Sequence, residues 1–266
     1  MSKARVDSAG RRADDRRGGG KKEVFPAKMP LHDGNHLIDS LPPEDRAALL
    51  EIAQPFDFPL GHVFCQSGDR AGHVEFIETG VVSAVTAMAD GRTVESYMIG
   101  REGATHPLAH EASARCYARL VGQIAGSGRR VEVARLRALA QQRPAIRDMM
   151  TAYAVRLINE LEQSTACNAL HRAERRFAKW LLRCHDRAEG DELQLTQEFL
   201  ASMLGAQRTT VNEAAQHLQE TGAIRYVRGR IQILDRVALE RAACECYAVQ
   251  RLTLDEVTGA ERDGEG

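Results

Sequence analysis

The stretch TQEFLASMLGAQRTTVNEAAQHLQETG, residues 196–222, decides how the chain is read. Thr196 suits an N-cap, and Glu198 places an acid in the first turn, where the helix dipole favours it. Phe199, Leu200, Met203 and Leu204 then recur at helical spacing. Gly205 can adopt the positive φ that turns a chain sharply out of a helix. A second helix follows with Val211, Ala214, Ala215 and Leu218 as its inner stripe, and Gly222 ends it. Its outer face presents Arg208, Thr209, Asn212 and Glu213. Arginine and asparagine one helical turn apart suit guanine and adenine edges in the major groove. Any amphipathic helical corner yields the same apolar pattern, so the flanking segments have to decide between a corner and a DNA reader.

On the C-terminal side, AIRYVRGRIQILD (223–235) is a pair of alternating strands around Arg228-Gly229-Arg230, a β-hairpin with a basic tip. On the N-terminal side, HRAERRFAKWLLRCHDR (171–187) is an amphipathic helix, with Phe177, Trp180, Leu181 and Cys184 inward and its basic residues, Lys179 and Arg183 among them, pointing elsewhere. Helix, glycine turn, helix and basic hairpin form the helix-turn-helix plus wing arrangement. Ahead of it, Ile146, Met150, Tyr153, Leu157 and Leu161 recur at intervals of three and four on one long helix. That stripe packs either on its own domain or on the same helix of a second subunit.

From Phe56 to about Leu136 the texture is strand-like, with runs such as HVEFIETGVVSAVTAMADGRTVESYMIG broken by glycine turns. Asp90-Gly91 is a hairpin signal, and strands at this spacing suggest an antiparallel barrel or jelly roll. Asn35–Ala53 reads as one or two short helices, with Pro42 and Pro43 at a helix start.

The chain of 266 residues carries 36 basic and 37 acidic side chains. Net charge runs +5 over residues 1–22, −4 over 23–171, +2 over 172–241 and −4 over the last 25 residues, which permits DNA binding without demanding it. Residues 1–30, with GGG and no apolar periodicity, read as a disordered basic tail. No apolar run approaches the ~20 residues of a membrane span, and the start of the chain lacks the apolar core of a secretory signal. The expected location is the cytoplasm. There the six cysteines are expected to be reduced, mostly as buried thiols and without a paired CxxC metal frame.

From Asn35 to Tyr247 the chain resembles the cyclic-AMP receptor protein / fumarate-nitrate regulator (Crp/Fnr) superfamily of bacterial transcription factors. The resemblance rests on TGVVSAVTAMADGRTVESYMIGREG, ACNALHRAERRFAKWLL and LTQEFLASMLGAQRTTV…TGAIRYVRGRIQILD, in that order. It implies an α+β chain with five parts. These are the basic tail (1–30), a cyclic-nucleotide-binding-like β-roll (31–142), a dimerisation helix (143–168), a winged helix-turn-helix (169–248) and an acidic tail (249–266). The stripe from Ile146 to Leu161 then becomes the dimer seam. Two recognition helices would enter successive major grooves ~34 Å apart.

Within the resemblance, Arg208 matches the family's first reading arginine. Thr209 stands where the cyclic-AMP receptor protein has glutamate, and Glu213 replaces its second reading arginine. Glu213 either accepts from a cytosine amino group or pairs with Arg208 or Arg230. Thr196 and Gln197 fall on phosphate-holding positions, with Thr210, Arg228 and Arg230 as further phosphate and wing contacts. The effector pocket maps to Gly103, Arg115 and Cys116. Ala104 follows Gly103 where a nucleotide-binding glutamate is expected, and Cys116 replaces a serine. Each lost hydrogen bond to a charged group is worth about 1.5–3 kcal/mol, so cyclic AMP is disfavoured and the effector is unknown. The cysteine cluster of the oxygen-sensing branch is missing too, and no cofactor or metal is expected. His73, His106 and His110 read as scattered surface histidines, with haem or metal ligation as the alternative weighed against that.

The expected partners are double-stranded DNA and a second copy of the chain, with RNA polymerase a candidate and no membrane. The alternative is a signal-binding module whose winged helix contacts a protein. An enzyme is not expected: Cys116, His106 and His110 lack an orienting third residue or an oxyanion motif.

Overall fold

A computed structural model describes residues 34–111 and 115–250. The basic tail at 1–30 and the acidic segment beyond 250 lie outside the described residues. The first unit opens with two helices, α1 (His36–Asp39) and α2 (Pro43–Ile52). Asn35 caps α1: its side-chain Oδ1 accepts from the backbone amides of Leu37 and Ile38, while its Nδ2 donates to the carbonyls of Ile77 and Gly103. One buried asparagine therefore ties this helix to two turns of the following sheets.

Seven strands follow: β1 (Gln54–Phe58), β2 (Val63–Cys65), β3 (His73–Ile77), β4 (Val81–Ala87), β5 (Thr93–Ile99), β6 (Arg119–Ile124) and β7 (Gly126–Glu132). They form two antiparallel sheets, ordered β1-β7-β3 and β2-β6-β4-β5, and make the expected β-roll. The Asp90-Gly91 turn joins β4 to β5, with Gly91 N–H donating to Met88. Val133–Gln142, whose start has strand-like texture, is a helix (α3), because Leu136 and Ala140, one turn apart, are buried against the roll.

The long helix α4 runs Pro144–Leu170, 27 residues, with proline at its first turn. Its expected dimer seam is corrected. Ile146, Met150 and Tyr153 are buried in one cluster with α1, α3 and the β-roll, and Leu157 is buried as well. Their own domain takes that stripe. The large apolar side chains α4 leaves exposed are Val155 and Ile158, at 53% and 52%, and Leu170 at its C-terminal end, with Leu161 half-buried at the edge of a cavity.

The second unit comprises α5 (Ala173–Arg187), β8 (Glu192–Gln194), α6 (Gln197–Leu204), α7 (Arg208–Glu220), β9 (Ile224–Val227), β10 (Arg230–Ile233) and α8 (Arg236–Ala242). Its small sheet is ordered β8-β10-β9. Phe177, Leu181, Leu200 and Leu218 are fully buried at its centre, each contributing roughly 1.5–3 kcal/mol of transfer free energy.

The two units share a core. Alternate residues of β4 point to opposite sides: Val82 and Ala84 into the roll, Val81 and Val85 into the winged-helix core. A strand covered on both faces explains the continuous apolar run VVSAV. Polar groups cross the same boundary. Trp180 Nε1 donates to Glu95 (2.9 Å), which also accepts from Ser83 within the roll (2.6 Å), and Gln123 donates to Cys184 Sγ (3.2 Å). Burial raises the Glu95 carboxyl, against the lowering effects of Ser83, Arg183 and Trp180. Glu102, in the loop after β5, pairs with Arg187 of α5 at 2.7 Å, both buried. Burial alone would raise Glu102, but Arg187 and then Arg156 overcome it and hold the carboxyl at about 2. Lys179 and Arg183, read as pointing away from the buried face, are themselves buried, Arg183 in an ion pair with Glu160 of α4.

One cysteine expectation is also overturned. Cys65 and Cys116 form a disulfide, with Cα atoms 6.7 Å apart. The pairing of β2 with β6 brings together thiols 51 residues apart, a proximity that exists only once the sheet is formed. Among the described residues no helix is long and apolar enough to cross a membrane.

Candidate nucleic-acid interface

The interface is built from its turn outward. Thr196 caps α6, its hydroxyl accepting from Phe199 N–H at 3.2 Å. Gly205 closes the helix in the left-handed region (φ +59°), and the amide of Ala206 reaches back to Ala201 at 3.0 Å. A side chain at 205 would be strained by that backbone angle and would stand 3.2 Å from Val94. The helix pair therefore needs glycine here both to turn and to lie against β5.

Helix α7 buries Val211, Ala214, Ala215 and Leu218, as its spacing implies. Arg208, Thr209, Asn212 and Glu213 are exposed, and Thr210 is half-buried. Arg208 pairs with Glu198 of α6 at 2.9 Å, and Arg230 lies 3.7 Å from Glu192. The pairing of Glu213 with Arg208 or Arg230, one of the two readings of that residue, is thus not the arrangement seen. These ion pairs are solvent-exposed and worth about 0–1 kcal/mol, a small cost to exchange for phosphate or base contacts.

The wing closes with Arg228 and Gly229 both at positive φ (+49° and +80°), the two-residue turn whose twist matches its strands. Its tip is fixed against the start of α6. Leu195 N–H donates to the Gly229 carbonyl at 2.7 Å, and Tyr226 hydroxyl donates to the Leu195 carbonyl at 3.2 Å. Thr196 and Gln197 are exposed beside the wing tip, where Arg228 and Arg230 are exposed too. The fold thus brings three sequence-distant features to one side of the domain: the α6 N-terminus, the outer face of α7 and the wing.

The proposed effector pocket is only partly assembled. A cavity of about 480 Å³ lies between the β-roll and α4, lined by Thr86, Ser96, Tyr97, Arg115, Cys116 and Leu161 among others. Gly103 is not part of it. A Cβ at Gly103 would overlap the Tyr153 hydroxyl at 2.4 Å, so this glycine serves close packing of α4 on the loop. Arg115 is exposed and donates to the Gly68 carbonyl at 2.7 Å. The Cys116 sulfur is held in the disulfide, 3.7 Å from His106 Nδ1. His106 is half-buried in the cavity wall, not scattered on the surface, and burial lowers its pKa to about 4. His110 is buried and bonded to the Pro107 carbonyl, whereas His73 is exposed.

The linear reading also missed a gathering at the opposite end of α4. Cys167 and His171 meet Cys244 and Cys246 there, with one ligand atom from each inside a 4.8 Å group. The Cys-x-Cys pair was visible in the sequence, but its partners lie more than 70 residues away.

Comparison with known proteins agrees with this geometry. Residues 175–242 match the Crp-like helix-turn-helix domain family. A CRP-like cAMP-activated global transcriptional regulator of Mycobacterium tuberculosis is 29% identical over 222 residues, covering 78% of this chain and 96% of the relative. The fold is shared with FixK2 from Bradyrhizobium japonicum (19% identity, TM-score 0.61, 73% of this chain and 98% of that one). It is shared as well with the c-di-GMP responsive global regulator CLP of Xanthomonas campestris (16% identity, TM-score 0.58, 72% and 99%). Residues 175–242 thus form a Crp-like helix-turn-helix domain, and over most of its length the chain is similar to a CRP-like transcriptional regulator.

Proposed function

We propose that the protein acts in the cytoplasm as a homodimer that reads a near-palindromic DNA site, and that its β-roll answers to an effector other than cyclic AMP. The observation that carries the DNA reading is the exposed face Arg208, Thr209, Asn212 and Glu213, flanked on one side of the domain by the basic wing tip. Arg208 and Asn212 are the residue types suited to guanine and adenine edges, and Glu213, unpaired with either arginine, is free to accept from a cytosine amino group. Thr196, Gln197, Arg228 and Arg230 supply phosphate contacts, which position the domain without reading sequence.

For the dimer, Val155 and Ile158 support a second-subunit contact along α4, displaced from the seam first read from the sequence. RNA polymerase is the further partner such a regulator would meet. For the sensor, the cavity offers apolar walls, the hydroxyls of Thr86, Ser96 and Tyr97, and one arginine already engaged with a carbonyl. Among the described residues, a ribose–phosphate ligand would find there neither a carboxylate for its hydroxyl nor a serine at 116.

Selection of bound sequences from a random duplex pool tests the function and the symmetry together. An enriched inverted repeat with half-sites one helical turn apart is expected. Binding without any enriched motif, or no salt-sensitive binding at all, would refute the reading and favour a protein partner for the winged helix. A saturable rise in melting temperature with cyclic AMP would refute the effector argument separately.

A further inference from the structure

Cys167 and His171 leave the end of α4 four residues apart, hence on one helical face. Cys244 and Cys246 arrive from the segment after α8, alternate residues of Cys-Glu-Cys. The three cysteines are 0%, 2% and 1% exposed and form a cluster of their own. Cys167 Sγ stands 3.6 Å from Cys244 Sγ, and Cys246 Sγ stands 3.5 Å from His171 Nδ1. A tetrahedral ion with metal–sulfur bonds of about 2.3 Å and a metal–nitrogen bond of about 2.0–2.1 Å requires edges of about 3.8 Å and 3.5 Å. The observed edges have that size, and none of these four sulfur and nitrogen atoms is taken by a disulfide.

The surroundings have the character of a metal site. His171 turns Nδ1 toward the sulfurs while its Nε2 lies 3.0 Å from the Glu245 carboxylate. A ligating histidine is oriented in this way by an outer carboxylate, which fixes the tautomer. Gln163 donates to Cys246 Sγ at 3.0 Å. Lys179 is only 7% exposed, and its ammonium donates to Cys167 Sγ at 3.3 Å.

We propose that Cys167, His171, Cys244 and Cys246 form a structural zinc site that clamps the α4–α5 hinge to the segment following α8. Binding would proceed as Zn²⁺ plus three thiols and a neutral imidazole, giving the coordinated ion and three released protons, with no change of oxidation state. Three thiolates on Zn²⁺ leave one net negative charge, which Lys179 balances. Three sulfurs and one imidazole match zinc, whereas magnesium and calcium select oxygen ligands. Four protein ligands complete the tetrahedron and leave no open position for a reaction, so the role is structural. Because His171 caps the end of α4 and the next residue starts the turn into α5, the ion would fix how the winged helix is carried on the long helix.

The test uses the full chain, purified without a histidine tag and kept reduced. Zinc content is expected at one ion per chain after equilibration with equimolar zinc and dialysis. Cobalt(II) substitution is expected to give the visible bands of a tetrahedral site together with thiolate-to-cobalt absorption in the near ultraviolet. Loss of both in Cys244→Ser and in His171→Asn would support the site. Each variant is checked by circular dichroism, and the cobalt spectrum of the unaltered protein stands whether or not they fold. A strong chelator should also lower the melting temperature of the unaltered protein. Retention of neither metal by the unaltered protein, an octahedral cobalt spectrum, iron or copper in place of zinc, or a Cys167–Cys244 disulfide under reducing conditions would overturn the proposal.

Discussion

Replacing Arg187 by methionine should uncouple the β-roll from the helix-turn-helix unit, because it removes the partner of a carboxylate that cannot reach water. Glu102 is 4% exposed and its ion pair with Arg187 spans the two units at 2.7 Å. Held at about 2 against an ordinary 4.5, the Glu102 carboxyl contributes about 3 kcal/mol at neutral pH, at ~1.4 kcal/mol per tenfold change in proton affinity. Breaking one side of a buried pair costs about 3–5 kcal/mol, consistent in size. The sign follows from linkage: a depressed carboxyl stabilises above its unfolded pKa, and that stability is lost as pH falls from about 4.5 through 2. In Arg187→Met the carboxyl is no longer held down, so the deficit should be largest at pH 7 and shrink toward pH 3. The double variant Arg187→Met/Glu102→Gln should recover most of it, since no buried charge is then left alone.

Urea unfolding followed by Trp180 fluorescence and by circular dichroism measures this. Trp180 is the chain's single tryptophan and bonds Glu95 across the domain boundary, so its signal reports undocking directly. A fluorescence change ahead of the loss of helix would show the domains separating before they unfold. A deficit below about 1 kcal/mol at pH 7, or one independent of pH, would refute the assignment, because the pair would then behave like an exposed one.

Arg208→Ala should weaken specific DNA binding by about 1–3 kcal/mol and relax base preference at one position, read by titration on the selected site; unchanged preference would misplace the reading helix. Gly205→Val should lower stability by about 1–3 kcal/mol, since a β-branched residue is strained at φ +59° and meets Val94; a neutral result in urea unfolding would show that the turn adapts. Ile158→Asp should shift the protein toward monomer in light scattering, whereas Ile146→Ala should lower stability and leave the oligomer intact, because only the first side chain is exposed. His106, lowered to about 4 by burial, stabilises while neutral, so its contribution is full above 6.5 and lost as pH falls toward 4. His106→Asn should flatten that limb of the melting-temperature profile, and an unchanged profile would place the titration elsewhere.

The recognition unit was legible because its determinants are local. Thr196, Gly205, the inner stripe of α7 and the turn at Arg228-Gly229 act within a few residues of themselves, through capping, backbone angle and periodicity. The β-roll was legible for the same reason, as short alternating runs between glycine turns. What a helix stripe packs against is not a local property. The periodicity of Ile146, Met150, Tyr153 and Leu157 is the same whether a sheet of the same chain or a second subunit covers it, and only the folded core assigned it. Gly103 likewise read as a pocket residue until Tyr153 was seen against it. Residues joined across long separations were hidden altogether. The Cys65–Cys116 bridge, the Glu102–Arg187 pair and the gathering of Cys167, His171, Cys244 and Cys246 all depend on chain closure over 51 to 85 residues. Sequence patterns report which face of an element is apolar or charged. Which distant groups meet, and so which carboxylate is held down and which thiols share a site, was decided by the packing of the two units on each other.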